Sequence, residues 1–113
     1  MKKRSILLVD DSQDMLEVLR RQLNALQYNT FKSTSVTDAI DRLQHARIDL
    51  LITDMRMPGL DGMHLVKYAK SNFPDLPVLV ITGFPSVSGA VEAVKSGALD
   101  YLSKPFTAKE LQQ

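Results

Sequence analysis

The sequence predicts an α/β fold, a three-layer, doubly wound sheet of five parallel strands with helices on both faces. Short runs rich in β-forming residues alternate five times with stretches of helical periodicity. One of these runs, residues 48–53, is nearly all apolar, as a strand buried on both faces should be. With 113 residues, the chain is long enough for one such domain and too short for two.

The first half of the chain supplies three strands and two helices. The first strand is Ser5–Val9, and Ser12 caps the helix that follows. Residues 29–31 form a weak second strand at an edge, a capping box at residues 35–38 opens the second helix, and residues 48–53 form the third strand. The apolar residues that should face the core are Leu16, Leu19, Leu23 and Leu26 in the first helix and Ala39, Ile40 and Leu43 in the second.

The third helix and the fourth strand follow a turn-rich loop at residues 57–62. The helix ends before Pro74, and Pro77 opens a strand that runs to Ile81 before residues 83–86 break it. The apolar residues of the third helix are Leu65, Val66 and Ala69.

The last elements are a fourth helix, a fifth strand and the start of a fifth helix. The fourth helix runs to Gly97 as its C-cap. Its inward side should consist of Ala90, Val91 and Val94. The fifth strand spans residues 100–103, and a capping box at residues 107–110 opens a fifth helix that has about one turn, so we expect that helix to be truncated.

Charge and composition exclude several classes of function. The net charge is +1, which implies no nucleic-acid or membrane partner. The absence of cysteine excludes disulfides and thiolate metal sites, and no apolar stretch approaches the length of a membrane span. We therefore expect a cytoplasmic protein.

Polar residues follow the strands at the point where each apolar run stops. Asp10 and Asp11 follow the first run, Asp54 the third, Thr82 the fourth and Lys104 the fifth. The carboxyl ends of parallel strands meet at one edge of a sheet, where such folds bind ligands. We therefore expect three carboxylates, a hydroxyl and an ammonium at one edge.

This set of residues indicates phosphoryl-transfer chemistry. Two unit charges ~4 Å apart repel by about 4 kcal/mol at an effective dielectric near 20, so clustered carboxylates call for a cation. All-oxygen ligands favour Mg²⁺ or Mn²⁺ over zinc. Asp54, at the end of a central strand, is the best nucleophile, whereas Asp10 and Asp11 are better placed to hold metal. The metal, Lys104 and Thr82 can each stabilise one phosphoryl oxygen.

The whole chain resembles the receiver domain of a bacterial two-component response regulator. The resemblance rests on four motifs in order: Leu8-Val9-Asp10-Asp11, Thr53-Asp54-Met55-Arg56-Met57-Pro58-Gly59-Leu60-Asp61-Gly62, Ile81-Thr82-Gly83 and Tyr101-Leu102-Ser103-Lys104-Pro105-Phe106. It implies a flavodoxin-like strand order of 2-1-3-4-5 over residues 1–113.

The resemblance also implies site chemistry and partners. Asp54 would be phosphorylated by a histidine kinase or phosphotransfer protein. Mg²⁺ would bind Asp11, Asp54 and the Arg56 carbonyl, and Asp10 largely through water.

The resemblance further implies how the signal leaves the site. Thr82 would shift toward the phosphoryl group and Tyr101 would move from an outward to an inward rotamer. The face made by the fourth helix, the fifth strand and the fifth helix would then favour a homodimer. The segment from Ile81 to Gly97 is similar to receivers of enhancer-binding transcription activators, which implies a transcriptional output domain outside this chain, and we expect residues 1–113 to be cut from such a longer regulator.

Three alternatives compete with this interpretation. A pseudo-receiver, a binding module that never takes phosphate, has the same fold. A phosphatase of the haloacid-dehalogenase type needs a carboxylate where Arg56 stands, and a flavodoxin needs a phosphate loop where the acidic residues 10–14 stand.

Two pairs of residues complete the expectations. Arg56 and Phe84 flank the expected water route to the phosphoaspartate and are both large, so we expect slow self-dephosphorylation. His45 and His64 lie away from the acidic edge and should be surface residues.

Overall fold

The computed structural model describes residues 4–55, 62–82 and 86–103, and within them it confirms the predicted sheet. The five strands are parallel, in the order β2-β1-β3-β4-β5. The strands are β1 (Ser5–Val9), β2 (Asn29–Ser33), β3 (Leu50–Asp54), β4 (Val78–Thr82) and β5 (Asp100–Ser103). The helices are α1 (Gln13–Ala25), α2 (Val36–His45), α3 (Gly62–Asn72) and α4 (Val87–Lys95). The predicted fifth helix lies outside the described residues.

Alternating side chains of the strands face two separate apolar layers. On one face, Ile6, Leu8 and Ile52 pack with the leucines of α1. On the other face, Leu7 and Leu51 pack with residues of α2, α3 and α4. This division follows from the two-residue period of a strand, and it explains why the central strands are apolar along their whole length.

The predicted helix starts are largely confirmed. The Ser12 hydroxyl accepts a hydrogen bond from the Met15 N–H, and the Ser35 hydroxyl accepts one from the Asp38 N–H. Side-chain acceptors at these positions satisfy backbone donors that have no partner inside the helix. The prediction for Leu26 was wrong, since α1 ends at Ala25 and Leu26 is the half-buried residue that follows.

The predicted inward side of α4 was also wrong. Val91 and Val94 are 47% and 60% exposed, Ala90 is half-buried, and the buried residues of α4 are Gly89 and Ala93. The physical reason is the close approach of α4 to β5. A Cβ added at Gly89 would lie 2.8 Å from the Tyr101 hydroxyl oxygen, so the helix turns its smallest residues toward the sheet.

The end of α4 uses the glycine that the sequence indicates. Gly97 follows the C-cap residue Ser96 and has φ +110°, a left-handed conformation that glycine adopts without steric cost.

His45 and His64 are exposed, as predicted. Among the helices of the described residues, none has the length and apolar content needed to span a membrane.

Candidate functional site at the carboxyl edge of the sheet

Three carboxylates meet at the carboxyl edge of the sheet. Asp10, Asp11 and Asp54 each offer an oxygen atom, and these oxygens lie within 4.8 Å of one another. The strand register explains the meeting, because Val9 of β1 pairs with Thr53 of β3. The residues that follow this pair, Asp10 and Asp54, therefore lie side by side on neighbouring strands.

The three side chains differ in their access to solvent. Asp10 is 1% exposed and Asp54 7%, whereas Asp11 is exposed. Two buried carboxylates beside a third repel strongly, by about 4 kcal/mol per pair at ~4 Å and an effective dielectric near 20. A divalent cation would reverse this repulsion, and an oxygen-only set of ligands fits a hard ion. The cluster could therefore hold such a metal ion.

Backbone hydrogen bonds hold Asp10 where β1 passes into α1. The Ser12 N–H donates to Oδ1 of Asp10 at 3.0 Å, and the Asp10 N–H donates to the Ser33 carbonyl at 3.1 Å. Asp10 is thus fixed from both the neighbouring strand and the start of the helix. Hydrogen bonds therefore fix the position of its carboxylate at the edge of the sheet.

Asp54 ends β3 and is held by the chain that returns into α3. The Gly62 N–H donates to the Met55 carbonyl at 3.0 Å, and the Thr53 hydroxyl donates to the Asp54 carbonyl at 3.0 Å. A Cβ added at Gly62 would lie 1.8 Å from that same carbonyl oxygen. Only glycine fits there, a role that the sequence interpretation missed. The signal was a glycine that ends the turn-rich loop at residues 57–62, directly before the predicted third helix.

Thr82 lies at the same edge as the carboxylates. Asp54 pairs with Ile81 of β4, and Thr82 is the next residue, 1% exposed. Thr82 in turn pairs with Ser103, the last residue of β5. Three further predicted site residues, Lys104, Arg56 and Phe84, lie outside the described residues.

Tyr101 contacts the start of α4. Its ring is half-buried and packs against the apolar layer that includes α3 and α4. Its hydroxyl accepts a hydrogen bond from the Ser86 N–H at 3.3 Å, and the Ser86 hydroxyl accepts one from the Gly89 N–H at 3.0 Å. Tyr101 is therefore linked to the first turn of α4.

A separate charged cluster lies on α1 and β2. Glu17 accepts hydrogen bonds from Arg20, including one that the Arg20 Nε–H donates at 2.9 Å. Glu17 also forms ion pairs with Arg21 and Lys32. The hydrogen bonding to Arg20, reinforced by the charges of Arg20 and Lys32, outweighs desolvation and lowers the pKa of Glu17 to about 2. Glu17 thus stays ionised over most of the acidic range.

The fold and the acidic edge together define a doubly wound α/β domain with a cluster of carboxylates able to bind a metal. The family model described as the response regulator receiver domain matches residues 6–113, and the chain belongs to this family. The predicted family is therefore confirmed. Membership implies phosphorylation-dependent signalling by a domain that is not in general an enzyme, and it leaves the phosphatase and flavin-carrier alternatives without support.

Similar proteins agree with this assignment. The chain is 35% identical over 113 residues to the response regulator protein PilR of Pseudomonas aeruginosa, and it spans 25% of the length of that protein. It is 31% identical to the beryllofluoride-activated NtrC4 receiver domain dimer, with a TM-score of 0.89 over 96% of this chain and 89% of that one. It is 26% identical to a response regulator from Burkholderia pseudomallei with a phosphorylated aspartic acid, a calcium ion and citrate, with a TM-score of 0.91 over 97% of this chain and 65% of that one.

Proposed function

We propose that this domain is a phosphorylation switch in which Asp54 accepts a phosphoryl group from a histidine kinase or phosphotransfer protein in the presence of Mg²⁺. Mn²⁺ is an alternative ion with the same preference for oxygen ligands. The observation that carries the proposal is the meeting of Asp10, Asp11 and Asp54 within 4.8 Å at the carboxyl edge of a receiver-domain sheet.

All three carboxylates would help to hold the metal ion, and Asp54 would also attack the phosphorus. Asp11, Asp54 and the Arg56 carbonyl would hold Mg²⁺, and Asp10 would do so largely through water. The bound ion would neutralise charge on the phosphoryl oxygens. A carboxylate oxygen of Asp54 attacks the phosphorus of a phosphohistidine. The new O–P bond forms as the P–N bond breaks, and the electron pair of that bond stays with the imidazole nitrogen.

Two further side chains would complete the neutralisation of charge. The Thr82 hydroxyl would hydrogen-bond to one phosphoryl oxygen, and the Lys104 ammonium would contact another. Support for Thr82 comes from its place one residue beyond the partner of Asp54. Support for Lys104 comes from the sequence, since it follows Ser103, the β5 residue that pairs with Thr82. The phosphorylated aspartic acid of the Burkholderia relative supports the same chemistry.

The signal would leave through Thr82, the start of α4 and Tyr101. Phosphate can shift the domain only if it binds one conformation more tightly than the other. Displacement of Thr82 toward the phosphoryl group would change the contact between Ser86 and Tyr101, and with it the face formed by α4, β5 and the fifth helix. The dimer of the activated NtrC4 receiver supports homodimerisation through such a change. An output domain outside these 113 residues is supported by relatives such as PilR, of whose length this chain spans 25%. A transcriptional type of output is supported by the transcriptional regulatory protein ZraR of Salmonella typhimurium, which is 40% identical over 111 residues.

The test is labelling by acetyl phosphate with Mg²⁺, read by intact-protein mass. We expect one phosphoryl group on the native protein, none on Asp54→Asn, and loss of labelling when EDTA removes the metal. Asp38→Asn, which changes an exposed carboxylate on α2, is the matched control and should be labelled normally. Equal labelling of Asp54→Asn would contradict the proposed phosphoacceptor. No labelling of the native protein would favour the pseudo-receiver.

A further inference from the structure

Thr53 carries a hydroxyl in a central strand whose preceding residues are apolar. Leu50, Leu51 and Ile52 come before it in β3, and Thr53 itself is 0% exposed. A valine has nearly the same shape and suits a strand equally well, and it would avoid the cost of burying a hydroxyl. Packing alone therefore does not account for a threonine at this position.

The Thr53 side chain lies on the face of the sheet opposite the acidic cluster. Side chains alternate along a strand, and Leu51 and Met55 both pack in the layer formed with α2, α3 and α4. Thr53 stands on the same face as these two residues, whereas Asp54 stands with Ile52 on the α1 face. The hydroxyl is thus directed away from the carboxylates, and any effect on them passes through the backbone.

The Thr53 hydroxyl donates a hydrogen bond to the Asp54 carbonyl oxygen at 3.0 Å. This bond closes a ring that contains φ and ψ of Asp54, the two soft dihedral angles of that residue. A change in either angle would stretch or break the bond. Because these angles set the direction of the Cα–Cβ bond, the hydroxyl fixes the point from which the Asp54 carboxylate extends.

The same carbonyl oxygen is confined from a second side. A Cβ added at Gly62 would lie 1.8 Å from it, so the first residue of α3 lies directly against the oxygen. The Gly62 N–H donates to the Met55 carbonyl at 3.0 Å, which holds the start of the helix in place. Removal of the Thr53 hydroxyl would take a donor from a buried carbonyl and leave the peptide group after Asp54 less restrained.

We propose that Thr53 is a positioning residue for phosphoryl transfer, whose hydroxyl fixes the backbone of Asp54 and through it the direction of the carboxylate. A nucleophile held in its reactive geometry reacts faster, and groups that orient a metal ligand strengthen metal binding. The inference rests on the proposed function, in which Asp54 is both the phosphoacceptor and a metal ligand.

The test compares Thr53→Val, which removes the hydroxyl, with Thr53→Ser, which keeps it. Labelling with Mg²⁺ is followed by intact-protein mass over a range of acetyl phosphate concentrations. We expect the maximal rate to fall about tenfold in Thr53→Val and to stay within about twofold of the native rate in Thr53→Ser. The half-saturating concentration of acetyl phosphate should not change, because the Thr53 hydroxyl is directed away from the site.

A second measurement needs no phosphodonor. Mg²⁺ binding, measured by titration calorimetry, should weaken about tenfold in Thr53→Val and be restored in Thr53→Ser. If the native protein binds Mg²⁺ but takes no phosphoryl group, the switch fails, and this measurement still decides whether Thr53 positions Asp54. A native protein that neither binds Mg²⁺ nor takes a phosphoryl group would overturn both proposals.

Ile6→Val controls for a general loss of stability. Ile6 is 2% exposed and lies near the amino end of β1, where it pairs with Leu50. Removal of one buried methyl group there should lower the Tm by about 4 °C, and loss of the buried hydrogen bond in Thr53→Val should lower it by a similar amount. Only Thr53→Val should be labelled slowly.

Several outcomes would overturn the proposal. One is a native rate of labelling and native Mg²⁺ affinity in Thr53→Val. Another is labelling of Thr53→Ser as slow as that of Thr53→Val, which would assign the effect to the lost packing rather than to the hydroxyl. A third is equally slow labelling of Ile6→Val, which would assign the effect to stability.

Discussion

Replacing Gly62 with alanine should damage both the fold and the site. The added Cβ would lie 1.8 Å from the Asp54 carbonyl oxygen and 3.0 Å from Cα of Met55. These are backbone atoms, which cannot rotate aside as the tip of a side chain can. The Cβ and the oxygen must separate by about 1.7 Å to reach an ordinary contact of about 3.5 Å. That shift also strains the hydrogen bond from the Gly62 N–H to the Met55 carbonyl.

The expected loss of stability follows from these contacts. Overpacking costs about 1–3 kcal/mol, and the weakened hydrogen bond adds about 1 kcal/mol, so the free energy of unfolding should fall by about 3 kcal/mol. With an unfolding entropy of about 2.1 cal/mol/K per residue over this chain, the Tm should fall by about 12 °C. Because the shift moves the backbone of Asp54, labelling by acetyl phosphate should slow at least about tenfold.

Calorimetry and intact-protein mass measure the two effects. The control is Gly89→Ala, whose added Cβ would meet the tips of two side chains, the hydroxyl oxygens of Tyr101 at 2.8 Å and Ser86 at 2.9 Å. Those tips can move, and alanine is better than glycine inside a helix by about 1 kcal/mol, so its Tm should stay within about 3 °C of the native value. A Gly62→Ala protein as stable as this control, and labelled at the native rate, would refute the reasoning.

Three further predictions concern other parts of the chain. Ser33 is 2% exposed, and its hydroxyl has no hydrogen-bond partner among the described residues. Ser33→Ala should therefore raise the free energy of unfolding, measured by urea denaturation, by about 1 kcal/mol. A clear decrease in that free energy would show that the hydroxyl has a hydrogen-bond partner. The pKa of Glu17 is lowered from 4.5 to about 2 in the folded protein, so its stabilising effect is fully present above pH 4.5 and is lost as the pH falls toward 2. The stability difference between the native protein and Glu17→Gln should therefore shrink over that range, and a difference independent of pH would count against the ion pairs. Finally, Phe84→Ala should shorten the lifetime of the phosphorylated protein, because the smaller side chain opens a route for water to the phosphoaspartate. The lifetime is measured by intact-protein mass after removal of the phosphodonor. An unchanged or longer lifetime would contradict the expectation that Phe84 slows dephosphorylation by keeping water out.

The sequence predicted the sheet and its acidic edge well because both depend on local patterns. Each of the three central strands, β1, β3 and β4, is a short apolar run. The residue that ends or follows each run is polar, as with Asp10 after β1 and Thr82 at the end of β4. Parallel pairing then brings these ends together whatever the details of the helices. The clustering of the three carboxylates needed no information beyond strand order and register.

The orientation of α4 could not be predicted in the same way. Its three valines are spaced as regularly as a buried stripe, and helical periodicity alone does not say which of two stripes faces the sheet. Gly89 is buried because the hydroxyl of Tyr101 in β5 lies close against it, a contact between residues distant in sequence. The requirement for glycine at position 62 likewise depends on the return of the chain to the Asp54 carbonyl.

The pairing of Val9 with Thr53 determines when, during folding, the carboxylate cluster is assembled. Asp10 and Asp54 are separated by more than forty residues, and only the assembled centre of the sheet holds them together. Under the proposed function, a nascent or partly unfolded chain therefore has no pocket for a phosphoryl group. If Asp54 is the phosphoacceptor, as proposed, only a correctly folded domain can be phosphorylated, and a misfolded copy cannot accept the phosphoryl group.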